Sequence, residues 1–207
     1  LRANQAALSL VSSNVANAET PGYIRKTSVQ VQMATGTGVQ TIGVNRTLDE
    51  YIQSQLRTET SGATYASTRA SFLSNLQSIY GDPSSSSTLE ANFNALTSAL
   101  QALSTSPDSQ SARIGVINAA QSMAQQLNAT SQGIQSLRNS AELGLTNSVS
   151  MANNALAQIA NINKQLQGSV GQTAATAAML DQRDQYITQL SQLMDVRVVP
   201  GNGDGVA

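Results

Sequence analysis

Between Asp108 and Gln167 the chain runs about 60 residues without a proline, far beyond the usual globular helix. Steps of seven from Ile117 meet Ile117, Ala124, Ser131, Arg138, Leu145, Ala152, Ile159 and Leu166. Steps of seven from Ala120 meet Ala120, Leu127, Ile134, Ala141, Ser148, Ala155 and Ile162. Together these rows form an a/d seam with a mean repeat of about 3.5 residues, which keeps one helix stripe facing a neighbour. Arg138, Ser131 and Ser148 weaken it, while Met123, Leu137 and Met151 on the adjacent row widen it. An unbroken helix here would be roughly 90 Å long. Gly115, Gly133 and Gly144 interrupt it at about 1 kcal/mol each relative to Ala, so a bend or break is expected near one of them.

The other segments read as elements packed on this strut. Leu1, Leu8, Val11, Val15 and Ala18 give residues 1–18 a short amphipathic stripe that is marginal without a partner. Thr20-Pro21-Gly22 ends it. Val29, Val31 and Met33 alternate with polar residues, a Gly-Thr turn comes next at 35–38, and Val39 to Val44 returns, predicting a β-hairpin over 27–45. Thr47-Leu48-Asp49-Glu50 reads as a capping box that opens a helix to about Tyr80. Its stripe is Leu48, Ile52, Leu56, Ala63, Ala66, Ala70, Leu73 and Leu76. Gly81-Asp82-Pro83 ends that helix, and a second box at Ser87-Thr88-Leu89-Glu90 opens the next, with Leu89, Phe93, Leu96, Leu100 and Leu103 on one face. Gly168 and Gly171 close the strut. The last helix spans about 174–194, and Val196 and Val198 begin a strand before a Gly201–Gly205 turn.

The fold class is therefore mainly α: an elongated antiparallel helical bundle or coiled coil, with a small hairpin near the start and a strand beginning at the end. An antiparallel bundle is the default over a parallel dimer, because three other helices carry complementary stripes. The chain divides into four segments: a coiled-coil helix over 1–22, a small β segment over 23–46, the helical bundle over 47–195, and the start of a further β segment over 196–207.

Composition narrows the chemistry. Eleven Lys and Arg against twelve Asp and Glu leave a net charge of −1, which argues against nucleic acid as a partner. There is no Cys and no His, so disulfides, thiolate metal sites and the common nucleophilic triads are absent, and no cofactor is implied. No apolar run approaches a membrane span. The chain opens on Leu1 rather than Met, so it is expected to be cut from something longer.

Two groups invite a functional reading. Asp181, Arg183 and Asp184 cluster early in the last helix. A carboxylate pair suits general acid–base work. The simpler reading is acids favouring a helix N-terminus, with Arg183 tied to a neighbouring helix and fixing its register. Gly201-Asn202-Gly203-Asp204-Gly205 lacks the Lys and Ser/Thr of a phosphate loop and the acidic spacing of a calcium loop, and reads as a hairpin turn.

Residues 10–23, Leu-Val-Ser-Ser-Asn-Val-Ala-Asn-Ala-Glu-Thr-Pro-Gly-Tyr, resemble the N-terminal signature of the flagellar rod, hook and hook-associated proteins, and Arg25 fits the turn after it. Leu180-Asp181-Gln182-Arg183-Asp184-Gln185, with Leu190 to Leu193 and Val196-Arg197-Val198, is similar to the end of the long helical part of the hook-associated branch of that family. The resemblance implies a non-enzymatic structural subunit, exported unfolded without a cleaved signal peptide and located outside the cell in the flagellum, joining hook to filament. It implies as partners other copies in a ring, the hook protein, the next junction protein and an export chaperone. Asn14, Asn17, Thr20, Pro21, Gly22 and Tyr23 would belong to the inner core and its turn. The stripe Leu8, Val11 and Val15 would await a C-terminal helix, and Leu127, Ile134, Leu145, Ile159, Ile162 and Leu166 would pack helices together. A rod or hook protein of the same family is a rival, though those devote their middle to β-rich domains. A helical receptor or sensor ectodomain is a rival of another class and requires a membrane span outside these residues.

Overall fold

The computed structural model describes residues 2–33, 36, 38–169 and 171–199. Five helices and one hairpin come in order: α1 (Arg2–Ala16), β1 (Lys26–Gln32), β2 (Val39–Arg46), α2 (Glu50–Tyr80), α3 (Leu89–Thr105), α4 (Gln110–Gln167) and α5 (Ala174–Ser191). The described residues form two compact units. One comprises the chain up to Tyr65 together with that from Ser148 onward, the other Ala66–Asn147.

In the first unit, the seam predicted along α4 meets α5. Ala152, Ala155 and Ile159 of α4 cluster with Ile187 and Leu190 of α5, and Tyr186, Leu193, Val196 and Val198 pack around them. Ile162, Leu166 and Ala177 are buried as well. The two alanines let the α5 backbone close in, and the isoleucines and leucines supply the apolar area, each worth about 1.5–3 kcal/mol when fully buried. Only six residues separate α4 from α5, so the helices run antiparallel. Thr173 caps α5: its hydroxyl accepts from the Thr176 N–H, while Thr176 reaches back to the Thr173 N–H.

The hairpin strands pair antiparallel, with Lys26 opposite Arg46 at the open end and an irregularity between Val29 and Gln30. Of the predicted turn, residues 35 and 37 lie outside the described set, as does residue 34 before it. The β2 edge is held by the Val44 N–H, which donates to the Gln172 carbonyl at 2.8 Å, just before α5.

In the second unit, Gly81 adopts φ +83° and stops α2, its N–H returning to the Gln77 carbonyl at 2.9 Å. Gly133 does not break α4. A Cβ there would lie 3.0 Å from Ile79, so the missing side chain admits α2 against α4. Gly115 and Gly144 are likewise passed without interruption. Leu127 and Ile134 remain partly exposed here, as do Phe93 and Leu100 of α3.

Both predicted capping boxes are displaced. At α2 the cap is Asp49, whose Oδ1 accepts from the N–H groups of Tyr51 and Ile52 at 3.1 Å each, because a carboxylate two residues nearer the helix outcompetes the Thr47 hydroxyl. At α3 the cap is Thr88, not Ser87: its Oγ1 accepts from Ala91 N–H at 3.1 Å. Position N3 is then Ala91, so Glu90 cannot complete a box. Thr88→Ala is expected to lower the stability of this unit by about 1 kcal/mol, read as a shift of the urea midpoint. An unchanged midpoint would show that neither the cap nor the contact of the same hydroxyl to the Ser85 carbonyl contributes to stability.

The strand expected from Val196 does not form among the described residues. Residues 195–199 run without strand pairing, and Val196 and Val198 instead lean on the α4–α5 core. Apolar alternation here serves packing. The Gly201–Gly205 turn lies outside the described residues.

Candidate functional site

The densest polar construction in the first unit joins the Asn/Thr-Pro-Gly-Tyr motif, the hairpin and α5. Asn17 ends α1 by donating from Nδ2 to the Ser13 carbonyl at 2.9 Å, and its Oδ1 accepts from the Thr20 hydroxyl at 3.3 Å. The chain then turns, with Tyr23 N–H donating to the Thr20 carbonyl at 3.1 Å. Gly22 sits at φ +78°, and a Cβ there would come within 2.8 Å of Gln185 of α5. Glycine suits the left-handed backbone, and any larger residue would require the Gln185 side chain to move. The Gln185 amide reaches the Pro21 carbonyl at 3.5 Å.

Asn14 anchors the first residue of β1. Its Nδ2 donates to the Lys26 carbonyl at 2.8 Å, and its Oδ1 accepts from the Lys26 N–H and the Tyr23 hydroxyl at 3.0 Å each. One amide side chain thus satisfies both backbone groups at the start of β1, as a neighbouring strand would. Tyr23 also meets Ser13 Oγ at 3.3 Å, and its ring lies under the Lys26 ammonium, 4.3 Å from the centroid.

Lys26 leads into a buried ion cluster. Its Nζ sits 2.5 Å from Asp181 Oδ2, and Arg46 Nε donates to Asp181 Oδ1 at 2.8 Å. Arg46 reaches on to Asp184 Oδ2, and Arg57 of α2 donates to Asp184 Oδ1 at 3.2 Å. Three cations from β1, β2 and α2 therefore converge on two carboxylates of α5. Burial pulls the Arg57 guanidinium below its usual range. Asp184 pushes it back up by charge and hydrogen bond, and the neighbouring Arg46 lowers it. It stays charged at any working pH.

This overturns the helix-dipole reading of the acids. Asp181 and Asp184 lie beyond the first turn of α5, which holds no acid. Their role is to bind cations brought from far along the chain. Arg183 does bond a neighbouring helix as expected, donating to Asn163 Oδ1 of α4 at 3.4 Å. Both carboxylates are occupied by cations, so the arrangement ties β1, β2 and α2 to α5. Among the described residues no group of three or more His, Cys, Asp and Glu is placed to hold a metal, and no helix is long and apolar enough to cross a membrane.

The structure thus gathers Asn14, Asn17, Thr20, Pro21, Gly22, Tyr23, Asp181 and Asp184 into one joint. Leu8, Val11 and Val15 stand exposed on α1. Ile159, Ile162 and Leu166 are buried in the first unit, whereas Leu145 is 66% exposed. Sequence reasoning missed Lys26, Arg46 and Arg57, and named Gln185 only as part of the α5 motif.

Comparison with known proteins points the same way. A family model described as the flagella basal body rod protein matches residues 1–23, the stretch that supplies the motif turn. A second, described as the flagellar hook-associated protein FlgK helical domain, matches residues 73–207. Flagellar hook-associated protein 1 of Salmonella typhimurium is 32% identical over 98% of this chain and 38% of its own length. The Bacillus subtilis protein of that name is 30% identical over 100% and 44%. The chain therefore spans about two fifths of these relatives. The solved flagellar hook junction protein FlgK from Burkholderia pseudomallei superposes with a TM-score of 0.67 at 29% identity, over 74% of this chain and 26% of that one. The motif turn and the helices behind it define a helical protein of the flagellar axial class. More narrowly, the chain belongs to the flagellar hook-associated protein FlgK helical-domain family.

Proposed function

We propose that the chain is the N-terminal part of a structural subunit that joins hook to filament in the bacterial flagellum. The observation that carries this reading is the likeness to hook-associated protein 1 along 98% of the chain, which includes both the motif turn and α5. The polar joint supports it, since it fixes α1 and the hairpin against the helical core and leaves the α1 stripe open. In this reading residues 1–22 enter an inner tube and 23–46 form the β segment behind it. The helices of 47–195 make contacts between copies in a ring, and 196–207 lead into a further β segment. Leu8, Val11 and Val15 take a C-terminal helix as partner. The hook protein and the next junction protein lie on either side, and a chaperone accompanies export. The work is done by shape and contact, with no catalytic residue.

Deleting the gene is expected to leave hooks without filaments and to release filament subunit into the medium, seen by electron microscopy and immunoblotting. Filaments of normal number and length would refute the reading.

A further inference from the structure

Lys26 and Arg46 are directly opposite each other at the open end of the hairpin. Like charges in that position oppose strand pairing. Apart from the Asn14 clasp on the Lys26 backbone and the Tyr23 ring under its ammonium, the hairpin has little to offset this. It is two strands, which are marginal in water, and α1 packed beside it buries no residue fully. Lys26 is nonetheless buried and the Arg46 side chain only 12% exposed, and the object between them is the Asp181 carboxylate, one oxygen on each. We propose that the hairpin is built to close only on a docked α5: the opposed cations hold its open end apart until Asp181 enters between them and turns repulsion into a bridge.

Three features of the geometry agree. Asp181 is the residue that bridges the two strands, whereas Asp184 takes Arg46 and Arg57. The backbone tie of β2 to residues outside the hairpin, Val44 to Gln172, comes from the segment leading into α5 and so arrives with it. The Gln185 side chain that abuts Gly22 lies one turn further along the same helix. Strand pairing between residues 26–32 and 39–46 is thus made conditional on a helix encoded more than 100 residues later. The α4–α5 core uses none of these charges and can form first. The device sets an order of assembly, helical core before N-terminal hairpin, and does not depend on the proposed function.

The test is hydrogen exchange on the full-length protein. Asp181→Asn is expected to speed exchange in residues 26–46 at least tenfold and to leave 152–166 and 180–190 within about twofold of wild type. Adding Lys26→Gln to Asp181→Asn removes the repulsion and should recover at least half of the lost protection, on a logarithmic scale. Relief of an unpaired buried Lys26 would also rescue, so Arg46→Gln is compared in the same Asp181→Asn background. Repulsion predicts that removing either cation rescues and that removing both adds little. Separate burial costs would add, an outcome that sinks the proposal. Unchanged exchange in Asp181→Asn, or a double variant no better protected than the single, would overturn the proposal. Should Asp181→Asn fail to fold, Lys26→Gln alone carries the test. It removes one bridge and the repulsion together, so hairpin exchange should change less than threefold, and a tenfold increase would refute the mechanism.

Discussion

Asp184→Asn is expected to cost about 3–5 kcal/mol of stability, the range for breaking a buried ion pair by removing one partner. The shape of the side chain is kept, but three cations are left facing one carboxylate. Arg57 loses most, because it is 6% exposed and its ion-pair partner is Asp184. Arg46 keeps Asp181 and with it part of its compensation. Urea denaturation monitored by circular dichroism should show a lower midpoint for the first unit at unchanged slope. The opposite manipulation separates charge from packing. Arg57→Met with Asp184→Leu removes a buried cation together with its anion, and such exchanges of buried pairs for apolar groups are often neutral or stabilising. The double variant should therefore recover most of the single variant's loss. A cost below 1 kcal/mol for Asp184→Asn would instead class these pairs with solvent-exposed ones.

That cluster marks the limit of what the sequence revealed. Every helix and both strands lie within a few residues of their predicted positions, because the stripes and the Gly and Pro stops act locally. Asp181 and Asp184 drew notice for the same reason, being close together in a chain with few charges. Their partners did not. Arg46 is 135 residues from Asp181, Arg57 is 127 from Asp184, and no period links them. One signal was available. A hairpin over 27–45 puts Lys26 opposite Arg46, and a like-charge pair at the end of a short hairpin calls for an anion from elsewhere. The motif residues were legible as a signature but not as a mechanism. That Asn14 satisfies both backbone groups of Lys26 depends on the turn through Gly22, which no spacing rule gives.

The seam along α4 was read correctly as a stripe but too evenly. Leu145 and Ile159 occupy the same heptad row two repeats apart, so the pattern alone assigns them the same role. Their surroundings differ: Ile159 is 9% exposed and clusters with Ile187 and Leu190, whereas Leu145 is 66% exposed. Ile159→Asp should therefore unfold the first unit. Losing the buried isoleucine costs about 2–5 kcal/mol, as for Ile→Ala, and placing a carboxylate in that apolar setting adds the desolvation of an unpaired charge. The total matches or exceeds the roughly 5–15 kcal/mol that stabilises a typical domain. Leu145→Asp should stay within about 0.5 kcal/mol of wild type in the isolated chain, as surface changes do. If the subunit packs against other copies through this face, the same Leu145→Asp should impair assembly while leaving the monomer's melting curve intact. Equal destabilisation by the two substitutions would show that the seam is covered along its whole length, and that Leu145 has a helix neighbour after all.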